Sequence, residues 1–115
     1  MPGKTLAVLA AVAALTTGLA ANALASTNRV VSVRDDSFSR SSMTIPRTDT
    51  ITWKWRGTDN RHNVKSGSNN PVAFKSKTRS GNYSYAHKFN KTGTYKIICT
   101  IHPSTMRLTV KVTRG

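Results

Sequence analysis

The sequence predicts an all-β fold, a sandwich or a barrel of short strands, and three observations predict it. Apolar and polar residues alternate in several short segments, which is typical of half-buried strands. Clusters of Gly, Asn, Ser and Pro separate these segments. No segment shows the sustained 3.6-residue period of an amphipathic helix. We therefore expect six to eight strands with frequent turns, as sandwiches and barrels have.

Residues 1–25 are predicted to form a cleaved signal peptide that precedes the fold. Lys4 comes before an unbroken apolar run at residues 6–15, and Ala23-Leu24-Ala25 fits the small-residue cleavage rule. The alternative is an uncleaved anchor, because residues 6–25 approach the length of about 20 residues that spans a bilayer. Polar residues interrupt that run, so cleavage is favoured and residues 26–115 form the single mature domain.

Five segments of the mature chain carry the strand pattern, and we take them in order. Valines alternate with polar residues at 31–33, and Ile and Trp alternate with polar residues at 51–56. Aromatic residues alternate at 83–89, residues 94–99 are rich in β-forming types, and Leu and Val alternate at 108–112. Each segment is therefore predicted to bury one face.

Turn-forming residues separate these strands. We predict turns at residues 56–60, 66–71, 80–82 and 90–93, and a long polar connection at 66–79 in which Phe74 packs on the core. Trp53 and Trp55 share one strand face and are expected in the core. The alternative, a base-stacking platform, needs these rings exposed.

The charge balance is strongly basic, with 18 Lys and Arg against 4 acidic residues and a formal net charge of +14. Such a field attracts acidic partners and raises their association rates. The basic residues are dispersed and form no block of five or six, so we expect solvation and general steering. We expect no nucleic-acid partner, while association with an anionic membrane or cell-wall surface stays open.

The one cysteine, Cys99, cannot form a disulfide within the chain. An odd cysteine in an exported protein indicates pairing between chains or a reactive thiol. A metal-bound thiolate is a third explanation. Because no cysteine lies near the cleavage site, we expect a protein that is exported to the periplasm or secreted, without a lipid anchor.

Cys99, His102 and Met106 lie on one short segment between two predicted strands. A thiolate, an imidazole and a thioether make a soft ligand set that suits copper, as in trigonal Cys-plus-two-His sites with a distant axial Met. The alternative is a buried free cysteine, a surface histidine and a core methionine. Their closeness on one segment favours a metal site. Of the other two histidines, His62 follows a polar turn and is the better second imidazole, whereas His87 is expected to be structural.

The mature chain resembles the plastocyanin-like cupredoxins, most closely in the pattern of amicyanin, pseudoazurin and the halocyanins. The matching segments, in order, are Thr52-Trp53-Lys54-Trp55, His62-Asn63-Val64, Tyr85-Ala86-His87-Lys88-Phe89, Gly93-Thr94-Tyr95 and Cys99-Thr100-Ile101-His102-Pro103. The resemblance implies a Greek-key β-sandwich with one copper ion at one end.

The resemblance also implies the roles of the site residues. His62 Nδ1, Cys99 Sγ and His102 Nδ1 are expected as the trigonal ligands, and Met106 Sδ as the weak axial ligand. Asn63 is expected to hydrogen-bond across to Thr100 and stiffen the ligand loop. The loop departs from the family in having three residues between His102 and Met106, where two or four are common.

These observations predict a small exported blue copper protein that carries single electrons between redox partners, one of them with an acidic docking surface. We expect a monomer and no enzymatic activity, because no aspartate has a His or Ser partner at a spacing typical of catalysis. The alternatives are a copper carrier or scavenger, a zinc site, a basic nucleic-acid-binding β-barrel, and a cupredoxin fold that has lost copper and serves adhesion.

Overall fold

The computed structural model describes residues 26–115, so the predicted signal peptide and its cleavage site lie outside the described residues. The described part contains strands and no helix, which confirms the all-β prediction. In chain order the strands are β1 (Asn28–Arg34), β2 (Ser37–Phe38), β3 (Ser42–Pro46), β4 (Thr50–His62), β5 (Lys65–Ser66), β6 (Arg79–Lys88), β7 (Gly93–Ile98) and β8 (Arg107–Thr113).

Two four-stranded sheets form the sandwich. One sheet has the order β2-β1-β4-β6 and the other has the order β3-β8-β7-β5. The pairs β1–β4 and β3–β8 are parallel, and the remaining pairs are antiparallel. Because a parallel pair needs a crossover connection, the chain passes repeatedly between the sheets, which gives the expected Greek-key β-sandwich.

The core lies between the two sheets and follows the period-two alternation of the sequence. Inward residues of β1, β4, β7 and β8 are almost fully buried, including Val31, Val33, Ile51, Trp53, Trp55, Tyr95, Ile97, Leu108, Val110 and Val112. Burying such side chains removes apolar surface from water and drives the two faces together. Because the rings of both tryptophans are buried, neither serves as a base-stacking platform.

Two predicted turns are wrong, since residues 56–60 lie inside β4 and residues 80–82 lie inside β6. Glycines at positive φ (63° at Gly57 and 76° at Gly81) mark a β-bulge instead, with register shifts on either side of Thr58. Asn82 Oδ1 accepts a hydrogen bond of 2.9 Å from the Gly57 amide across the bulge. The bulge lets β4 continue to His62, which brings this histidine to the end of the sandwich.

The long connection between β5 and β6 follows the prediction, and Phe74 packs against the core from it. The Ser66 amide donates to the Phe74 carbonyl (3.0 Å), and the Ser76 amide donates to the Val64 carbonyl (2.8 Å). These bonds hold the connection beside the segment that follows His62. Among residues 26–115, no helix has the length and apolar character needed to cross a membrane.

Candidate metal centre

Three chain segments meet at one end of the sandwich. His62 is the last residue of β4, the β7–β8 connection provides Cys99 and His102, and the β1–β2 turn provides Asp35 and Asp36. The strands fix where each segment enters, and the short connections restrict where it can go. Residues far apart in the sequence are thereby brought within contact distance.

One atom each of His62, Cys99 and His102 lies within 4.8 Å of the other two. The distance from Cys99 Sγ to His62 Nδ1 is 4.0 Å, and the two imidazole centroids are 5.1 Å apart. Bonds of about 2.0–2.3 Å from a trigonal ion to nitrogen and sulfur would place the ligand atoms about 3.5–3.8 Å apart. The three side chains are therefore close enough for a single metal ion to bind all three after a small movement.

The polar contacts of the histidines also fit a metal. His102 Nδ1 is buried and has no hydrogen-bond partner, while its Nε2 lies 3.1 Å from Asp36 Oδ1. His62 has the same arrangement, with Nδ1 facing Cys99 and Nε2 lying 3.0 Å from Asp35 Oδ1. If each Nε2 carries the proton and donates to a carboxylate, both Nδ1 lone pairs are free to bind a metal.

Burial isolates the centre from water on most sides. His62 and Cys99 are fully buried, while the side chain of His102 is 27% exposed. An unpaired polar nitrogen in a buried place costs about 1–3 kcal/mol, which a bound metal would offset. The donor set of one thiol and two imidazoles suits copper. On geometry and donor chemistry together, the residues fit this ion.

Met106 is fully buried in the same core cluster as Cys99. Its carbonyl accepts a hydrogen bond of 3.1 Å from the Cys99 amide, and its amide donates one of 2.9 Å to the His102 carbonyl. The loop thus closes on itself, and its two ends lie side by side. This closure places the methionine backbone against that of the cysteine, and the axial role of Met106 stays a prediction.

Asn63 joins the two ligand-bearing segments, in the way the sequence predicts. Its Nδ2 donates to Thr100 Oγ1 (2.8 Å) and to Thr78 Oγ1 (3.0 Å), and its Oδ1 accepts from the Thr100 amide (2.8 Å). Asn63 follows His62 and Thr100 follows Cys99. The paired bonds therefore fix the two ligands relative to each other.

Two aspartates contact the histidines of the centre although no sequence spacing indicates it: Asp35 contacts His62 and Asp36 contacts His102. Asp35 also accepts hydrogen bonds of 2.9 Å from the amides of Asp59 and Asn60. The Asp59 amide is the largest cause, followed by His62 and the Asn60 amide, of a fall in the pKa of Asp35 from 3.8 to about 2. Asp35 is therefore ionised at neutral pH.

The two aspartates are the site residues that sequence reasoning missed. The available signal was two adjacent acids in a chain that has only four. His87 lies elsewhere, stacked on Phe74 with ring centroids 4.0 Å apart and edge-on to Phe89. Burial lowers the pKa of His87 below its ordinary value, so this ring is held neutral in an aromatic cluster.

Comparison with known proteins supports the copper assignment. The sequence profile of the family described as copper binding proteins, plastocyanin/azurin family, matches residues 26–113. An oxidised methionine-to-leucine mutant of amicyanin is 28% identical with a TM-score of 0.64, over 73% of this chain and 80% of that chain. A reduced proline-to-phenylalanine mutant of amicyanin is 30% identical with a TM-score of 0.63, over 74% of this chain and 81% of that chain.

A more distant structure shares the fold alone. A copper-containing nitrite reductase from Thermus scotoductus is 23% identical with a TM-score of 0.69, and the match covers 76% of this chain but 23% of the reductase chain. A search among curated protein sequences gave no significant match. The family profile extends over nearly the whole described chain, including every residue of the metal centre. This protein therefore belongs to the plastocyanin/azurin family of copper binding proteins.

Proposed function

We propose that this protein is an exported blue copper protein that carries single electrons between redox partners. His62 Nδ1, Cys99 Sγ and His102 Nδ1 are the trigonal ligands in this proposal, and Met106 Sδ is the axial ligand. The periplasm or the extracellular space is the site of action. The protein works as a monomer and catalyses no reaction on a substrate.

The convergence of the three ligand atoms within 4.8 Å is the observation that carries the proposal. A buried histidine and a buried cysteine next to an unpaired imidazole nitrogen have no comparable structural explanation in an apolar core. When bound, copper supplies a couple between Cu(I) and Cu(II). The residues around the ion determine how easily it would be oxidised and reduced.

The rigidity of the ligand frame favours electron transfer. The Asn63–Thr100 bonds hold the segments of His62 and Cys99 together, and the Met106 backbone closes the loop on Cys99. Cu(I) and Cu(II) prefer different coordination. A frame that keeps one arrangement in both states leaves little to rearrange during transfer, so that electrons can pass quickly in both directions.

One edge of the centre reaches the surface, at the 27% of the His102 side chain that is exposed. Ile101 next to it is 48% exposed, which is unusual for a large apolar side chain in this chain. An exposed apolar side chain beside a partly exposed imidazole suits transient contact with another protein. We assign electron entry and exit to this edge.

The test is a visible absorption spectrum and a cyclic voltammogram of the purified protein loaded with Cu(II). The expected result is a strong thiolate-to-copper band and a reversible one-electron wave, with both absent in Cys99→Ser, whose folding is checked by circular dichroism. A colourless protein that holds zinc in preference to copper would contradict the proposal. Transfer of copper to an apo acceptor without a reversible wave would favour a copper carrier or scavenger instead.

A further inference from the structure

The Asp35-Asp36 turn joins β1 to β2 and lies against both histidines of the metal centre. Asp35 Oδ1 is 3.0 Å from His62 Nε2, and Asp36 Oδ1 is 3.1 Å from His102 Nε2. The other nitrogen of His62, Nδ1, lies 4.0 Å from Cys99 Sγ, and the other nitrogen of His102, Nδ1, is buried without a hydrogen-bond partner. One two-residue turn therefore contacts the outer edges of both imidazoles.

We propose that the Asp35-Asp36 turn is a two-carboxylate clamp that orients both imidazoles with Nδ1 toward Cys99, and that Asp36 lowers the reduction potential of the centre through His102. This inference rests on the proposed function. Asp36 touches only the imidazole and not the metal position, so it is a positioning residue. The clamp explains why two adjacent aspartates lie at this end of the sandwich in a protein that is otherwise strongly basic.

The contact with Asp36 determines the tautomer of His102. A neutral imidazole carries one proton, on Nδ1 or on Nε2, and the hydrogen bond of one nitrogen decides the role of the other. The Asp36 carboxylate can only accept, so it holds the proton on Nε2. Nδ1 is then left without a proton, and it is this nitrogen that is buried without a hydrogen-bond partner.

The contact also affects the bound ion. A carboxylate that accepts the outer N–H of a ligating histidine raises the basicity of that ligand. A more basic ligand, with a negative charge close by, stabilises Cu(II) more than Cu(I). Weakening the contact should therefore raise the potential. Exposed ion pairs contribute little to folding stability, and Asp36 is 57% exposed, so the potential is a more sensitive readout than unfolding.

The two aspartates differ in their other contacts. Asp35 also accepts from the amides of Asp59 and Asn60, so replacing it would disturb the end of β4. Asp36 has φ 63°, a left-handed conformation that Asn and Gly adopt more readily than other residues. Asp36→Asn and Asp36→Gly therefore suit the turn, and they separate the loss of charge from the loss of the acceptor.

The experiment compares these two variants with Asp59→Asn, a matched control that removes the same charge from the neighbouring end of β4. Within the described residues, the Asp59 carboxylate forms no salt bridge. Nitrogen–proton NMR of the metal-free protein reports the His102 tautomer. Competition with chelators gives the Cu(II) affinity, and voltammetry gives the potential of the copper-loaded protein.

We expect the proton of His102 on Nε2 in the wild type, in Asp36→Asn and in Asp59→Asn, and a mixture of the Nδ1–H and Nε2–H tautomers in Asp36→Gly. Asp36→Gly should lose about tenfold in Cu(II) affinity. With Cu(I) affinity unchanged, that loss corresponds to a rise of about 59 mV for a one-electron couple. The Cu(II) affinity and the potential of Asp36→Asn should lie between those of Asp36→Gly and of the control, because the amide oxygen of Asn still accepts a hydrogen bond from His102.

Two results would overturn the clamp: a wild-type His102 with its proton on Nδ1, or an Asp36→Gly protein that matches Asp59→Asn in tautomer, affinity and potential. Failure of the proposed function is a separate outcome. In that case the wild type binds copper without a thiolate band or a reversible wave, while the tautomer of the metal-free protein still decides whether the clamp exists.

Discussion

Asn63 shows how one side chain can hold two distant segments of the site in place. It is 2% exposed and exchanges two hydrogen bonds of 2.8 Å with Thr100, one through its Nδ2 and one through its Oδ1. Because one partner is a backbone amide, the contact fixes the position of the chain directly after Cys99. The side chain thereby links the two segments that provide His62 and the cysteine.

Replacing Asn63 with Ala should destabilise the protein by about 1–3 kcal/mol, because the buried Asn63 side chain loses its two hydrogen bonds to Thr100. Urea unfolding of the copper-free protein measures this change. Asn82→Ala is the control, since it removes a single exposed bond to the Gly57 amide and should have a smaller effect. Equal losses in the free energy of unfolding of the two variants would show that Asn63 has no special role.

Met106 is the residue whose role in the site depends most on the length of the loop. Met106→Leu keeps the volume and removes the thioether, so copper should stay bound while the potential rises, because a weak donor to the oxidised ion is lost. Voltammetry measures the shift. Met43→Leu, at a half-buried methionine of β3, should leave the potential unchanged. An unshifted Met106→Leu protein would show that this sulfur is not axial.

The alternation of apolar and polar residues predicted the longer strands, but it did not predict the shorter strands β2, β3 and β5. β1, β4, β6, β7 and β8 carry alternating or β-rich sequences, and all are present. β2 and β5 have two residues each, too few for a period to show, and β3 ends at Pro46. Composition alone identifies a strand where several alternate residues are apolar.

The turn predicted at residues 56–60 failed for a different reason. Gly, Asp and Asn serve a β-bulge as well as they serve a turn, because both need positive φ or unpaired backbone groups. The partner strand decides between the two, and β6 pairs with both sides of Gly57. The sequence shows where the backbone is irregular but not which strand lies beside it.

The sequence allowed a prediction of the ligand residues, and the structure brings His62, Cys99 and His102 together, whereas the contacts of the two aspartates were not foreseen. Cys99, His102 and Met106 are rare residue types on one loop, so their chemistry shows in the sequence. The contacts of Asp35 and Asp36 depend on how the β1–β2 turn packs against the end of β4 and the β7–β8 connection, which no spacing encodes. Contacts of this kind, between distant turns, need a structure.

His87 of β6, which packs against Phe74 and Phe89, should make the stability of the protein depend on pH. Burial lowers its pKa below 6.5, so the unfolded chain takes up the proton first as the pH falls. The contribution of the neutral His87 ring to the free energy of unfolding is complete above pH 6.5. It is lost as the pH falls below 6.5 toward the pKa of the folded state.

NMR titration of the copper-loaded protein should therefore give a pKa below 6.5 for His87. Urea unfolding at pH 7.5 and pH 5.0 should show a smaller loss of stability in His87→Gln than in the wild type. A measured pKa of 6.5 or higher, or equal losses in the two proteins, would show that stacking on Phe74 does not keep the ring neutral.

The whole molecule carries a formal charge of +14, which acts at longer range than any single contact. Electron transfer with an acidic redox protein should slow as ionic strength rises from about 0.01 to 0.15 M, because the Debye length falls from about 30 to about 8 Å. Stopped-flow kinetics measure the rates, and an uncharged small-molecule oxidant is the control. A rate with the acidic protein that does not depend on salt would rule out charge steering.

In the proposed centre, two imidazoles and one thiolate from distant parts of the chain bind a single copper ion at the end of the β-sandwich. A crystal structure of the copper-loaded protein, with anomalous data collected at the copper edge, locates this ion. We expect one peak within bonding distance of His62 Nδ1, Cys99 Sγ and His102 Nδ1. A peak elsewhere on the molecule, or a copper ion bound without Cys99, would disprove this centre.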